Sequence, residues 1–455
     1  MRIGSVLLVL GCLLSAVSAQ WLETTIEVDS GPQALCYNSR ENKVYCANSA
    51  GDNVTVIDGA TNQVIATVAT GRWPAALCYN PTNNKVYCAN SGGGGVTVID
   101  GAADTVIATV RGALVEALTL CYNHVNNKVY CSGYHLDNTT CCSNKFCCRV
   151  WVVDGAADTV IAYVGGWAPG TLCYNPQNNK VYCGHDDVVS VIDGLGDTIS
   201  ATVALRIFSQ QALCYSHVNN KVYCAIFEGD SVAVIGGATD SVITTIAAGR
   251  GPSALCFDPL DDKVYCANSG SDDVTVADGA ADTVIATVAA GGEPRALCYN
   301  PTNNKVYCAN LGSDDVTVID GASNQVLRTI GVGDEPVALC HNPVQNRVYV
   351  ANYSDGTVSV IRDSMTAMKE SPESQAASYR RPQSVVRGVL QLQVDSRQHT
   401  AYGAEMLDIS GRKVLDLQPG PNDVRVLAPG VYFLRSEPSA VSGKPLVVRK
   451  VVVTR

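Results

Sequence analysis

The chain has 455 residues, 47% of them apolar and 16% charged, with 40 Gly and a formal net charge of −10. At ~100–200 residues per domain that length predicts roughly two to four domains unless a repeat absorbs it, and the composition excludes a disordered or collagen-like chain. Twenty Tyr against 5 Phe, and 20 Cys against 4 Met, point to one short segment copied many times.

The N-terminus reads as an export signal over residues 1–19. Arg2 supplies the positive end, Ile3 to Leu14 the apolar stretch, and Val17-Ser18-Ala19 a small-residue cleavage site before Gln20. Val9-Leu10-Gly11-Cys12 has a loose likeness to a lipoprotein box, but the apolar run continues past Cys12. No later stretch reaches the ~18 apolar residues of a membrane span. The expectation is an exported protein, secreted or held at the cell surface.

From Ala34-Leu35-Cys36-Tyr37-Asn38 onward one unit recurs, with its first Cys at 36, 78, 121, 173, 214, 256, 298 and 340. The steps are 42, 43, 52, 41, 42, 42 and 42 residues, and a period near 40–45 is the length of a four-stranded propeller blade. Each unit carries four strand-like runs, such as Ala76–Asn80, Lys85–Asn90, Val96–Asp100 and Val106–Val110. They are β-branched and aromatic and are punctuated by Asn-Pro and Asp-Gly turns. The repeats open on an isolated fourth-type strand, Thr24–Val28, and finish on a third-type strand, Val358–Ile361. Pairing these two completes the last blade and removes the open edges. The sequence therefore predicts an all-β chain: an eight-bladed β-propeller over 20–363, closed by its terminal strands, a linker over 364–384, and a small Ig-like β-sandwich over 385–455.

Lys-Val-Tyr-Cys-Ala-Asn followed by Val-Thr-Val-Ile-Asp resembles the YVTN family of β-propeller repeats, with Cys where that family has Val. Tyr349-Val350-Ala351-Asn352 in the last copy keeps the family form. The resemblance implies the propeller fold and leaves function open, because propellers host enzymes, binding modules and scaffolds alike.

In seven units two Cys stand ten apart: Cys36 and Cys46, Cys78 and Cys88, Cys121 and Cys131, Cys173 and Cys183, Cys214 and Cys224, Cys256 and Cys266, Cys298 and Cys308. Pairing Cys36 opposite Cys46, and so Tyr37 opposite Tyr45, puts both sulfurs on one face at a separation a disulfide tolerates. Seven in-blade disulfides are the expectation, and reduced, Val-sized core residues the alternative. Cys340 faces Val350 and has no such partner. Cys141, Cys142, Cys147 and Cys148 lie in a ten-residue insertion of the third unit, which reads as a disulfide-pinned hairpin tip. A metal site using His135, His185, Asp186 and Asp187 is the lesser reading of that region, so no metal or cofactor is assigned.

An enzyme needs residues that break the repeat at one convergent point. Asp58, Asp100, Asp154, Asp193, Asp278 and Asp320 instead recur ahead of Gly, as turn chemistry. His124 and His217 share a turn position, and His341 replaces a repeat Tyr. The residues that depart from the repeat cluster in the loops entering the first strand of each unit. They are Arg72 and Trp73, Arg111 with Glu116, Trp167, Arg206 and Phe208, Arg250, Glu293 with Arg295, and Asp334 with Glu335. In a propeller these loops share the channel-mouth face with those leaving the second strand. Aromatic and Arg residues are enriched in binding hot spots, which makes Arg72, Trp73, Arg111, Trp167, Arg206, Phe208, Arg250 and Arg295 the candidate binding residues. No Ser/His/Asp order, phosphate loop or paired-carboxylate motif accompanies them. The reading is a non-catalytic binding or structural module for a protein or glycan at the cell surface; the alternative is a lactonase- or lyase-like propeller with its site at the same mouth.

Residues 20–365 carry 18 basic and 34 acidic side chains, whereas those after Met365 carry 13 and 8. An acidic disc repels phosphate backbones and argues against nucleic acid. Ser364 to Ser384 is rich in Ser, Gln, Glu and Pro and reads as a linker. Strand-like runs then cover Gly388–Val394, Tyr402–Ile409, Lys413–Leu417, Asp423–Leu427, Gly430–Arg435 and Leu446–Val453, as in a small antiparallel sandwich. Gly411-Arg412 after Leu407-Asp408-Ile409, then Gly430-Val431-Tyr432, then Arg449-Lys450 near the end resemble the C-terminal sorting domain of type IX bacterial secretion. Arg381-Pro382-Gln383 stands where that domain usually opens on Asn-Pro. The resemblance implies the secretion machinery as a partner, engaged through Gly411, Arg412, Gly430, Tyr432 and Lys450.

Overall fold

A computed structural model describes residues 19–111, 114–136, 146–165, 170–185, 187–205 and 210–364, together with seven strands of the C-terminal segment. Eight four-stranded antiparallel sheets follow one another along residues 19–364, the blades of an eight-bladed β-propeller. Blade one runs through Pro32–Asn38, Lys43–Asn48, Asn53–Asp58 and Val64–Ala69 in sheet order. The eighth sheet takes Pro336–Asn342, Arg347–Asn352 and Thr357–Ser364 from one end of the repeats and its outer strand, Ala19–Glu27, from the other. In that pairing Leu22 lies opposite Ile361 and Ile26 opposite Val358. The first strands of neighbouring blades approach within 8 Å between Cα atoms, blade eight beside blade one included.

The repeat sequence explains why blades stack. Along Lys43–Asn48, Tyr45 and Ala47 bury against Val86, Cys88 and Ile99 of blade two. Val44 and Cys46 point the other way, onto Tyr349, Val358 and Val360 of blade eight. A strand covered on both faces need not alternate apolar with polar residues, and here Val44 to Ala47 are consecutively apolar and buried.

Polar atoms fix the angle between blades. Lys43 Nζ lies 2.7 Å from Asp104 Oδ2, and Tyr45 donates its hydroxyl to Asp104 Oδ1 at 2.7 Å, both across to the turn of blade two. The clamp repeats as Lys85 and Tyr87 on Asp158, Lys128 and Tyr130 on Asp197, Lys180 and Tyr182 on Asp240, and Lys221 and Tyr223 on Asp282. In blade six Lys263 and Tyr265 find Asn324 instead, and in blade eight Arg347 donates to the carbonyls of Gly59 and Ala60 and Tyr349 to Asn62 Oδ1, all of blade one. Each hydrogen bond to a charged group contributes about 1.5–3 kcal/mol. The first Asp of the same turn serves locally, as expected: Asp100 Oδ1 accepts from the backbone of Ala102 and Ala103. His124 and His217 pack edge-on against Tyr174 and Phe257 of the following blade.

The disulfide expectation fails on register. Cys36 lies opposite Tyr45, Tyr37 opposite Val44, and Cys46 opposite Leu35. The same offset holds in the other six blades that carry two cysteines. One residue of slip turns a strand's side chains to the opposite face, so Cys36 and Cys46 enter different inter-blade layers. The same separation applies to Cys78 and Cys88, Cys121 and Cys131, Cys173 and Cys183, Cys214 and Cys224, Cys256 and Cys266, and Cys298 and Cys308, and all fourteen, with Cys340, are free thiols. Burial pushes Cys78, Cys183, Cys214, Cys224 and Cys298 up to about 12, which keeps these thiols protonated and slow to react at neutral pH.

The hairpin of the third blade is longer than the others, its ladder running out to Leu136 opposite Phe146. Cys141 and Cys142, and the side chains of Cys147, Cys148 and His135, lie outside the described residues, as does Asp186. His185 is buried with its Nε2 2.8 Å from Ser190 Oγ.

The chain divides into two compact units, Met1–Ala367 and Met368–Arg455. In the second, Val385–Val386, Val448–Val453, Gly430–Ser436, Ala404–Leu407 and Lys413–Leu417 form a five-stranded sheet in that order, and Val389–Leu392 pairs with Gly420–Asp423. Two features depart from the expected antiparallel sandwich: Val385–Val386 runs parallel to its neighbour, and a strand covers Gly420–Asp423, ahead of the run expected from Asp423. Gly411 and Arg412 lie outside the described residues, while Gly430 and Tyr432 stand on one strand and Lys450 on its neighbour, with Tyr432 opposite Val451. No helix among the described residues is long and apolar enough to cross a membrane.

Candidate functional site

One face of the propeller carries the loops entering each first strand and those joining the second strand to the third. Four entering loops are pinned by the preceding blade: Asp52 accepts from the backbone of Trp73, Asp230 from Gly251, Asp272 from Glu293 and Asp314 from Glu335, all at 2.9 Å. The residues so held stand just before Pro and have left-handed backbone, with φ of 54° at Trp73, 65° at Gly251, 51° at Glu293 and 54° at Glu335. Glycine takes that conformation without penalty, whereas other residues lose about 1–2 kcal/mol there. Gly31 and Gly251 follow the rule; Trp73, Glu293 and Glu335 break it. A strained position occupied by a large side chain is a reason to look for a function.

A cavity of about 680 Å³ opens on this face across the loops of blades five to eight and one. Three repeat positions build it. Phe227, Ser269, Leu311 and Tyr353 each follow directly on the second strand of their blade; Glu293 and Glu335 are the strained residues before Pro; Gln33, Arg295 and Val337 come just after that Pro. Two aromatic rings and two aliphatic side chains thus share the cavity with two carboxylates, a guanidinium and an amide. Arg295 and Glu293 are exposed and make no ion pair with each other or with Glu335. Beside the cavity Asp355, Asp314 and Glu335 crowd Asp334 and push its carboxyl above the ordinary value. The mouth therefore has excess negative potential and unpaired polar groups, both of which a ligand can satisfy.

The structure brings together Glu293, Arg295 and Glu335 from the sequence-predicted set. Arg72 and Trp73 form a separate pair, the guanidinium 5.4 Å from the indole centre, with Trp73 half exposed. Gly92 makes room for that indole, since a Cβ there would meet Trp73 Cδ2 at 2.9 Å. Arg111 and Arg250 are exposed and lie outside the cavity lining. Trp167, Arg206 and Phe208 fall outside the described residues. Sequence reasoning missed Gln33, Phe227, Ser269, Leu311, Val337 and Tyr353. The position after the second strand reads Ser49, Ser91, Phe227, Ser269, Leu311 and Tyr353 around the ring, and that variation was the available signal.

No protein-family model matches the chain, and no curated protein does. Among solved structures, the computationally designed Ika8 protein is 20% identical with a TM-score of 0.60, covering 74% of this chain and 99% of its own. Saccharomyces cerevisiae Sqt1 is 9% identical with a TM-score of 0.62, covering 74% of this chain and 98% of its own. At these identities the likeness carries the fold alone.

Proposed function

We propose that the chain is an exported YVTN-type propeller, closed through its terminal strands, that binds a surface protein or glycan at the channel mouth and is delivered or anchored through its C-terminal unit. A β-propeller suggests a binding or structural module, and one observation favours binding. The cavity is lined at repeat positions that differ from copy to copy, and two of them, Glu293 and Glu335, are held in a backbone conformation that costs stability. The pairing of Ala19–Glu27 with Thr357–Ser364 supports the closure. The acidic excess of residues 20–365 disfavours nucleic acid. The C-terminal strings around Gly411, Gly430 and Lys450 support sorting.

Arrays of immobilised glycans and surface proteins, probed with wild type and with Phe227→Ala and Tyr353→Ala, test the reading. Ligands found by wild type should bind each variant at least about fivefold more weakly, the ~1 kcal/mol expected of a hot-spot residue. Equal binding by both variants would place the site away from this mouth.

A further inference from the structure

Charge and apolar surface are unevenly spread around the mouth. Eight loops carry this face from the second strand of blade five to the first strand of blade one: 227–230, 248–251, 269–272, 290–293, 311–314, 332–335, 353–356 and 28–31. Together they hold nine carboxylates and one basic side chain, Arg250. The next three loops around the ring, 49–52, 70–73 and 91–95, hold only Asp52 and Arg72. Glu228 and Glu293 are exposed and have no hydrogen-bond or ion-pair partner among the described residues. The first strands of neighbouring blades approach within 8 Å, inside the ~8–10 Å over which salt screens charge, so the potentials of successive loops add. The apolar residues follow the same arc. Phe227, Leu311 and Tyr353 stand at the repeat position that is Ser49 and Ser91 in blades one and two, and the two rings are each 38% exposed.

We propose that this arc of the mouth seats an extended, basic segment of a partner protein. Its Lys or Arg side chains lie against the carboxylates and its apolar side chains against Phe227, Leu311 and Tyr353. The inference rests on the reading of the mouth as the binding site and names what that site selects. Cationic heads gain from unpaired carboxylates and from the faces of Phe and Tyr rings. A neutral glycan draws nothing from this negative potential, and an acidic one is repelled by it. Arg295, the one basic side chain in the cavity lining beside Glu293 and Glu335, leaves the net charge negative and offers donors to the carbonyls of an extended chain. The pinned entering loops hold the carboxylates in place before the partner arrives, which lowers the cost of binding. The ring also sets the length of the segment. Phe227 and Tyr353 are three blades apart, roughly 24 Å at ~8 Å per step, and a chain rising ~3.3 Å per residue covers that in about seven residues.

The probe is a fluorescein-labelled heptapeptide in which Lys alternates with Leu and Ser, titrated with the full chain and followed by anisotropy, beside a twin peptide carrying Gln for every Lys. The Lys peptide should bind at least about tenfold more tightly than its twin, and raising salt from about 50 to about 500 mM should weaken it by about tenfold or more. Glu228→Gln combined with Glu293→Gln should weaken it by about fivefold or more, in a chain that melts like its parent because both side chains are exposed and unbonded. Glu27→Gln combined with Asp187→Asn removes the same charge from the rim and from blade four, and should leave binding unchanged. The proposal is overturned if the Lys and Gln peptides bind alike, if the two pairs of substitutions weaken binding equally, or if salt has no effect. The broader reading of the mouth fails by a different result, binding that Phe227→Ala and Tyr353→Ala leave untouched. A ligand weakened by those two substitutions but indifferent to salt and to the Glu228 and Glu293 pair would keep the mouth and remove the basic partner.

Discussion

Replacing Glu293 or Glu335 by Gly should stabilise the propeller while weakening its binding. Both residues sit at left-handed φ, 51° and 54°, where the sibling loops place Gly31 and Gly251. Leaving that region relieves about 1–2 kcal/mol, and the greater freedom of Gly in the unfolded chain returns about 0.5–1, for a net gain of roughly 0–1.5 kcal/mol per site. The two substitutions should differ. The Glu293 side chain makes no hydrogen bond, so Glu293→Gly keeps the full gain. Glu335 accepts from Ser354 Oγ, a contact to a carboxylate that solvent exposure reduces to about 0.5–1.5 kcal/mol, and Glu335→Gly should come out near neutral. The assay is urea unfolding at 25 °C, read as a shift of midpoint at unchanged slope. Gly251→Glu is the reverse experiment and should be destabilising, because its φ is 65° and a Cβ there meets Phe227 Cε2 at 3.1 Å. If Glu293→Gly lowers the midpoint, or Gly251→Glu leaves it unchanged, these positions are not strained and their side chains need no functional account.

Asp363 is buried, which opposes ionisation, yet hydrogen bonds from Lys305 and Gln20 hold its carboxyl below the ordinary value. Its contribution is therefore complete above the unfolded value near ~3.9 and is lost as the pH falls through the lower folded value; Asp363→Asn should flatten that limb of a denaturation-versus-pH curve. Non-reducing peptide mapping should find no bridge between Cys36 and Cys46 or between Cys78 and Cys88, and detection of either would contradict the register. Cutting the chain after Ser384 should leave a cooperatively melting propeller but change where it accumulates on cell fractionation, and an unchanged location would count against the sorting role.

How far the sequence could be read depends on what a repeat reveals. The period and the unmatched strand types at the two ends pointed to eight four-stranded sheets without any side-chain detail. Register was harder, because both faces of a blade are buried and the usual apolar-in, polar-out alternation is missing from Lys43–Asn48. The deciding information lay in the turn. Asn38 Oδ1 accepts from the backbone of Arg40 and Glu41, and Asn42 takes φ of 53°. Between them they close a four-residue loop that sets Asn38 opposite Lys43. Asn or Asp recurs at the position of Asn42 in all eight copies, so counting the loop from those residues gives Cys36 opposite Tyr45 and sends the two sulfurs to different faces. The second Asp of the third-to-fourth-strand turn was equally legible as a turn residue but not as the inter-blade partner of Lys and Tyr, since that contact spans 59–61 residues in blade one and no local pattern announces it.

The site was legible only by subtraction. A position identical in every blade is explained by the stacking that every blade shares, so evidence of a ligand has to come from positions where the copies disagree while the backbone beneath them does not. Glu293, Arg295 and Glu335 met that test on sequence. Phe227 and Tyr353 meet it only once the end of the second strand is fixed, because they then fall at one place in the blade rather than in two unrelated loops. The same logic separates the two sets of thiols. The second-strand set is interrupted by Val350 at no cost to the fold, as expected of residues that merely fill space. The first-strand set is uninterrupted although its neighbour varies from Tyr37 to Phe257 to His341.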